Sequence, residues 1–370
     1  DAPRYRTLAD LSGRRVATLA ATLAFDLLTA AEKEHGLVVV PYEDDVHPYT
    51  DLAVGRVDAV LLDEVLAERG VRRHPGLMNQ PSSVGVGYYV GILAPQNTML
   101  RGQIDEILKQ AMRDGRLEAI FRRWKMWNDD QRDLYGRVTA DESGRTQQPE
   151  SRAADLSVWA ATRRYAPSLL TATVITLALS VLSMALAIVV GVLIASGRVY
   201  GPAAVKALLT GWVELIRGTP LLLQLFVIYY GLATVVQLPA FLAALIGLGL
   251  NYGAYESEIY RSALESVPPG QLDAARTLGV SDGQTLMPIR GPQALGLALA
   301  PMTNDFVALL KDSSLVSLIT VVELTKQTTI FASNIGSWFV PGLVCAVLYL
   351  ALSLPVSHLA RRLERTWRRT

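Results

Sequence analysis

Cysteine is almost absent: Cys345 is the single one in 370 residues, so neither an intrachain disulfide nor an all-cysteine metal site is possible. Charge is scarce too, at 19% Asp, Glu, Lys and Arg against 51% hydrophobic residues, a more apolar balance than a soluble domain carries. The net charge is +1 and no Lys/Arg-rich run interleaves with aromatics, so nothing argues for nucleic acid. His35, His47, His74 and His358 are scattered without metal-ligand spacing, which favours surface or packing roles. No G-x-x-x-x-G-K-[ST] phosphate loop occurs, so ATP hydrolysis is not expected of this chain. The chain opens at Asp1, without Met and without the charged start and apolar stretch of a signal peptide, and reads as processed or as a fragment.

What is present divides in two. From Leu11 to about Trp124 the pattern is that of an α/β unit, with "RRVATLA", "LVVVPY", "VDAVLLD" and "GVGYYVGILAP" as strands. Ile104, Ile107, Leu108, Met112, Leu117, Ile120, Phe121 and Trp124 recur at helical spacing and predict one amphipathic helix packed on a sheet. After Trp127 apolar periodicity disappears in favour of Asp, Arg, Gln, Ser and Pro. The expected organisation is therefore an α/β domain over 1–130, a polar linker over 131–160 and a membrane domain over 161–370.

In the second half, Tyr165 to Gly197 holds no charged residue and exceeds the roughly 20 residues that span a bilayer. A second span starts near Ala203, and "GLATVVQLP" separates it from a third. A fourth follows Gly296 and carries Asp305, Lys311 and Asp312; a fifth runs from about Ser337 to Leu359. Ionisable groups at that depth are costly and face a pathway or a partner. Arg198, Lys206, Arg261, Arg276, Arg290 and the tail's Arg361, Arg362, Arg365, Arg368 and Arg369 fall on one side, which the positive-inside rule makes cytoplasmic. Arg163 and Arg164 are outnumbered on the other side, where the N-terminal domain is expected.

Between spans three and four lies "ESVPPGQLDAARTLGVSDGQTLMPIRGPQAL". Pro268 and Pro269 suit a helix start, Leu272 to Leu278 form a short helix, Gly279 ends it in a left-handed cap, and Ser281 with Gln284 has capping-box spacing for another. Ala274 and Ala275 leave a flat face that a protein surface could approach. A solvated interhelical hairpin is the bland alternative. The segment resembles the EAA loop of the membrane-spanning subunits of ABC importers, with Asp273, Ala274, Ala275 and Gly279 in the motif positions. The flanking "NYGAYESEIYRSALESVPPGQ", "ELIRGTPLLLQLFVIYYG" and "NDFVALLKDSSLVSLITVVELT" resemble the polar amino acid permease branch. Asp273 keeps the charge of the usual Glu. Met287, Pro288, Arg290 and Gly291 depart from the family's basic and aliphatic residues, and Pro288 would interrupt or end a second docking helix.

The resemblance implies an α-helical bundle of about five transmembrane helices, of the type I ABC importer kind, in a bacterial inner membrane. It implies a second permease subunit, in all expectation an identical copy, and two cytoplasmic ATPase subunits that hold ATP and Mg and dock on the EAA loop. The N-terminal domain resembles part of an amino acid solute-binding protein, the second lobe and the return to the first. There Thr22 aligns with a carboxylate-binding Thr, although Ala21 and Leu23 replace a Gly and a second Thr. Asp63 either holds a ligand ammonium or caps the helix that starts at Glu64. Arg217, Thr219, Pro220, Glu256, Glu258, Lys311, Asp312 and Ser313 are expected either to line a pathway for a zwitterion, Glu258 foremost, or to lock the bundle by mutual salt bridges. A ligand-gated channel would need a T-V-G-Y-G filter, and a receptor a signalling domain beyond the short Arg-rich tail. An importer of another small polar solute, such as an opine, stays open.

Overall fold

The computed structural model describes residues 5–20, 22–80, 83–124, 126–140, 158–281 and 284–367. Ala21, residues 141–157 of the stretch read as a linker, Arg368 and Arg369 lie outside the described residues, as do the side chains of Arg361 and Arg365. The chain falls into two compact units, Asp1–Asp155 and Leu156–Thr370.

Unit one is built on a parallel sheet of order β2-β1-β3, with β1 Arg15–Leu19, β2 Val38–Tyr42 and β3 Ala59–Val60. Val16 pairs with Val39 on one side and Ala59 on the other. Successive side chains of a strand point to opposite faces, and both faces are covered here. Val16 packs with Leu28, Ala31 and Leu37, while Ala17 packs with Val40, Tyr42 and Val57. The crossovers are α1 (Leu23–His35) and α2 (His47–Ala53), and α3 (Glu64–Arg73) follows β3.

Three expectations fail in this unit. "GVGYYVGILAP" forms no strand, and Tyr89, Val90 and Ile92 are exposed: Gly85, Gly87 and Gly91 weaken the segment and no described strand lies beside it to pair. The single amphipathic helix is two, α4 (Thr98–Arg113) and α5 (Arg116–Arg123), broken at Gly115. No residue of α4 is buried, so it does not pack on the sheet as expected. Finally, α6 (Asp129–Ala140) stands inside the stretch read as linker. Local chemistry outweighs the missing periodicity: Gln131 N donates to Asn128 Oδ1 at 3.0 Å, Asn128 N donates to Gln131 Oε1 at 3.1 Å, and Trp127 meets Tyr135 edge-on at 4.9 Å. Unit one thus presents a small parallel sheet with its helices.

Unit two is helical: α7 (Val158–Tyr200), α8 (Ala203–Arg217), α9 (Leu221–Phe226), α10 (Ala240–Glu265), α11 (Pro269–Thr277), α12 (Gly291–Asp312), α13 (Leu324–Ile335) and α14 (Phe339–Trp367). A π-helical turn Val227–Gly231 extends α9, another at Leu286–Arg290 precedes α12, and a 3-10 turn Ser313–Ile319 follows it. α10 lies along α7 at close range because Gly249 and Gly253 bring no side chain. A Cβ at Gly249 would sit 2.6 Å from Leu186, and one at Gly253 would sit 2.8 Å from Val190.

Five spans were expected; among the described residues three helices are long and apolar enough to cross a membrane, Thr162–Tyr200, Pro288–Ile319 and Phe339–His358. The count becomes four if α8 and the α9 extension form one span bent by 102°. The difference is α10: its 26 residues suffice in length. Its composition is diluted by Asn251, Tyr252, Glu256 and Ser257, which it buries against neighbouring helices.

Candidate functional site

The helix expected over Leu272–Leu278 is α11, Pro269–Thr277. Leu272 and Ala275 are its buried residues, while Asp273, Ala274, Arg276 and Leu278 are exposed. The flat two-alanine face is thereby corrected: Ala275 turns inward and Ala274 alone faces out, beside Leu278, which is 82% exposed. Arg276 Nη1 donates to Asp273 Oδ1 at 2.9 Å, one turn apart on the open side. Gly279 has φ +76°. Val280 N donates to Ala275 O at 3.1 Å and Gly279 N to Arg276 O at 3.0 Å, the paired bonds of a Schellman stop. The capping box also forms, with Ser281 N donating to Gln284 Oε1 at 3.0 Å. Among the described residues no separate second helix follows. Pro288 lacks an N–H and its ring needs room in the turn before it, and the chain widens there into the π-turn that runs straight into α12.

The membrane candidates separate into three groups. Glu258, on α10, accepts from Arg198 Nη1 of α7 at 2.6 Å and Arg261 Nη2 of α10 at 2.8 Å, with Arg217 Nη1 of α8 3.8 Å away. That cluster joins three helices, the arrangement of the bundle-locking alternative. Arg217 also lies over the Tyr255 ring, 5.1 Å from its centroid. Glu256 is wholly buried against Gly191 of α7, and neither carboxylate oxygen has a hydrogen-bond partner. Asp305 Oδ2 on α12 is likewise buried and unpartnered. Lys311 is exposed, and no ion pair among the described residues joins it to Asp312, which accepts from Tyr252 OH at 2.7 Å. Ser313 turns back to donate to Leu310 O at 2.8 Å.

Thr219 and Pro220 sit at the break of the bent pair. There the sequence reading missed Gln224. Its Nε2 reaches Ile216 O at 2.7 Å, Thr219 Oγ1 at 2.8 Å and Thr219 O at 3.2 Å, while its Oε1 accepts from Asn251 Nδ2 of α10 at 3.0 Å. One amide therefore satisfies acceptors that the broken helix frees and ties the break to α10. The available signal was a Gln four residues after a helix-starting Pro.

In unit one, Thr22 and Asp63 both follow strand C-termini, after β1 and β3, at the sheet edge where open α/β sheets bind ligands. Thr22 is a helix cap: its Oγ1 accepts from Phe25 N at 3.2 Å and donates to Leu19 O at 2.9 Å. Asp63 stands at the cap position of α3 but makes no side-chain cap bond. Burial pushes the nearby Tyr49 phenol up to about 12, and the charge of Asp63 adds to that.

The sequence profile of a family described as the binding-protein-dependent transport system inner membrane component matches residues 187–369, beyond unit one. The L-cystine transport system permease protein of Bacillus subtilis (strain 168) is 38% identical over 196 residues, 51% of this chain and 84% of that protein. The glutamine transport system permease protein of Escherichia coli (strain K12) is 35% identical over 211 residues, 56% of this chain and 96% of that one. A crystal structure of an amino acid ABC transporter with histidines aligns at a TM-score of 0.53 and 34% identity, over 56% of this chain and 97% of that chain.

Proposed function

Because the chain belongs to the family of amino acid ABC transporter permeases, the binding-protein-dependent transport system inner membrane components, we propose that it is the membrane subunit of an importer that takes up a polar amino acid by alternating access. The observation that carries this reading is α11, a short helix held between α10 and α12 by a Schellman stop, its Asp273, Ala274 and Leu278 turned outward. Such a protrusion suits the groove of a separate cytoplasmic ATPase, which would hold ATP and Mg and supply the hydrolysis. Two copies of the chain would surround one pathway, with the C-terminus cytoplasmic and unit one outside as a fused part of a binding domain. Thr22 and Asp63 would face its ligand. Within the bundle, Glu256 is a wholly buried carboxyl group, and on the pathway reading it would face a zwitterion's ammonium when the bundle opens.

The test is ATP-dependent uptake by proteoliposomes containing this chain and its cognate ATPase. The panel includes L-cystine, glutamine and histidine, and the control is Gly279→Asp. Saturable uptake of an amino acid, lost in the variant while the complex assembles, is the expected result. Hydrolysis without uptake of any panel member sinks the substrate class, and failure to bind an ATPase sinks the importer.

A further inference from the structure

The segment after α11 reaches back to the far end of α7. Arg290, last residue of the π-turn, donates from Nη1 to Tyr200 OH at 3.2 Å, and its guanidinium carbon lies 5.7 Å from the centre of the Tyr200 ring. Its Nε is buried and finds no hydrogen-bond partner, so Tyr200 is the residue on which this cation rests. Tyr200 closes α7, and α8 starts three residues later.

The π-turn sets this contact. Ile289 N and Arg290 N both donate to Thr285 O, at 3.0 and 2.9 Å, and Thr285 is fully buried. One extra residue in a turn rotates the side chains on its two sides by about 100° relative to each other. Arg290 is thereby aimed off the face that α12 presents. Leu286, from the same turn, packs against the buried cluster that Ala195 of α7 forms with Tyr260, Ala263 and Leu264 of α10. At the other end, Gln293 Nε2 of α12 donates to Gln271 Oε1 of α11 at 2.6 Å. A continuous chain of contacts thus leads from the docking helix through α12 and the π-turn to the α7–α8 junction.

We propose that Arg290 and Tyr200 form a positioning pair that carries movement of the docking helix to the inner ends of α7 and α8. The proposal rests on the importer reading, since α11 must be moved by a partner ATPase. Its content is additional: a tie between Arg290 and Tyr200, acting on the loop between the first two membrane helices. A tie that only stabilises the fold would alter assembly and leave the response to nucleotide unchanged.

The experiment compares hydrogen exchange of residues 196–206 and 269–281 in the full complex, nucleotide-free and ATP-bound. The proteins are the unaltered chain, Arg290→Met, Tyr200→Leu, Arg290→Lys and the double variant. In the unaltered complex both segments change on ATP binding. In Arg290→Met and Tyr200→Leu the change at 269–281 persists, while that at 196–206 shrinks by about fivefold or more, as expected of a coupling contact. Arg290→Lys, which keeps a cation over the ring, restores part of it, and the double variant is no worse than either single one. Retention of the nucleotide response at 196–206 in both single variants, or its absence in the unaltered complex, overturns the pair's role. Because exchange needs no transported substrate, a wrong substrate class leaves this test intact. A chain that binds no ATPase ends both readings, whereas an intact complex whose variants respond normally ends this one alone.

Discussion

Glu256 concentrates an electrostatic cost in one side chain: a wholly buried carboxylate whose polar neighbour is the Tyr260 hydroxyl loses most of its hydration. Glu256→Gln removes that charge at nearly constant volume. We expect the variant's unfolding midpoint in detergent to rise, by about 1 kcal/mol of stability, while uptake falls if Glu256 serves the pathway. Unchanged uptake with raised stability would leave it a packing residue. In unit one the balance is reversed at Asp44. Burial disfavours its charge, but the His47 side chain at 2.5 Å and the amides of His47 and Val46 outweigh it and hold the carboxyl at about 2. A folded-state value below the ordinary 3.8 stabilises the fold above that value, and the contribution is lost as pH falls toward 2. The side chain is 44% exposed, so screening reduces its worth to about 1 kcal/mol. Asp44→Asn should therefore speed exchange of the Val46 and His47 amides several-fold at pH 7, with the difference from the unaltered chain closing as pH falls through 2. At this scale the sequence disclosed Glu258 and Asp273 as candidates, and the structure supplies their partners one helical turn away, Arg261 and Arg276. Arg198, 60 residues from the Glu258 it contacts, had no local signal.

Among the elements, the break between α8 and α9 shows how a bent span stays satisfied. Gln224→Leu leaves Ile216 O and the Thr219 groups without their amide donor and Asn251 without its acceptor. These groups are half-buried, and each one orphaned costs about 1 kcal/mol, so the variant should unfold at lower temperature; an unchanged midpoint would mean that water already serves these groups. Thr320 is a second stress point, a β-branched residue at φ +69°, right after the 3-10 turn. Thr320→Gly should gain about 1 kcal/mol from relieved backbone strain, less whatever its hydroxyl contributes at 3.4 Å from Tyr229 OH. A net loss in thermal unfolding would show that the hydroxyl outweighs the strain. Element starts and stops were legible where a cap or glycine announced them, as at Gly279 and at Ser281 with Gln284. The strand expected over 84–94 and the sheet packing expected of α4 failed because both need a tertiary partner that a local pattern does not supply.

At the scale of the whole molecule, the halves were legible from composition, and the membrane half from its uncharged runs. The polar residues that α10 buries, Asn251, Glu256 and Ser257 among them, lower its apolar average although its length suffices for a span. If unit one captures substrate for unit two, deleting residues 1–155 should leave a complex that assembles and hydrolyses ATP. It should raise the substrate concentration for half-maximal uptake by about tenfold or more, the loss of a tethered local concentration. Equal uptake curves would leave unit one without a role in capture. Cys345 has a consequence of another kind. It is the only sulfhydryl in the chain, half-buried in α14 next to the Leu169, Leu324 and Phe331 cluster. In an assembly of two copies, a nitroxide on this thiol would create one spin pair and one distance, so a dipolar spectrum would follow the opening and closing of the unmutated transporter.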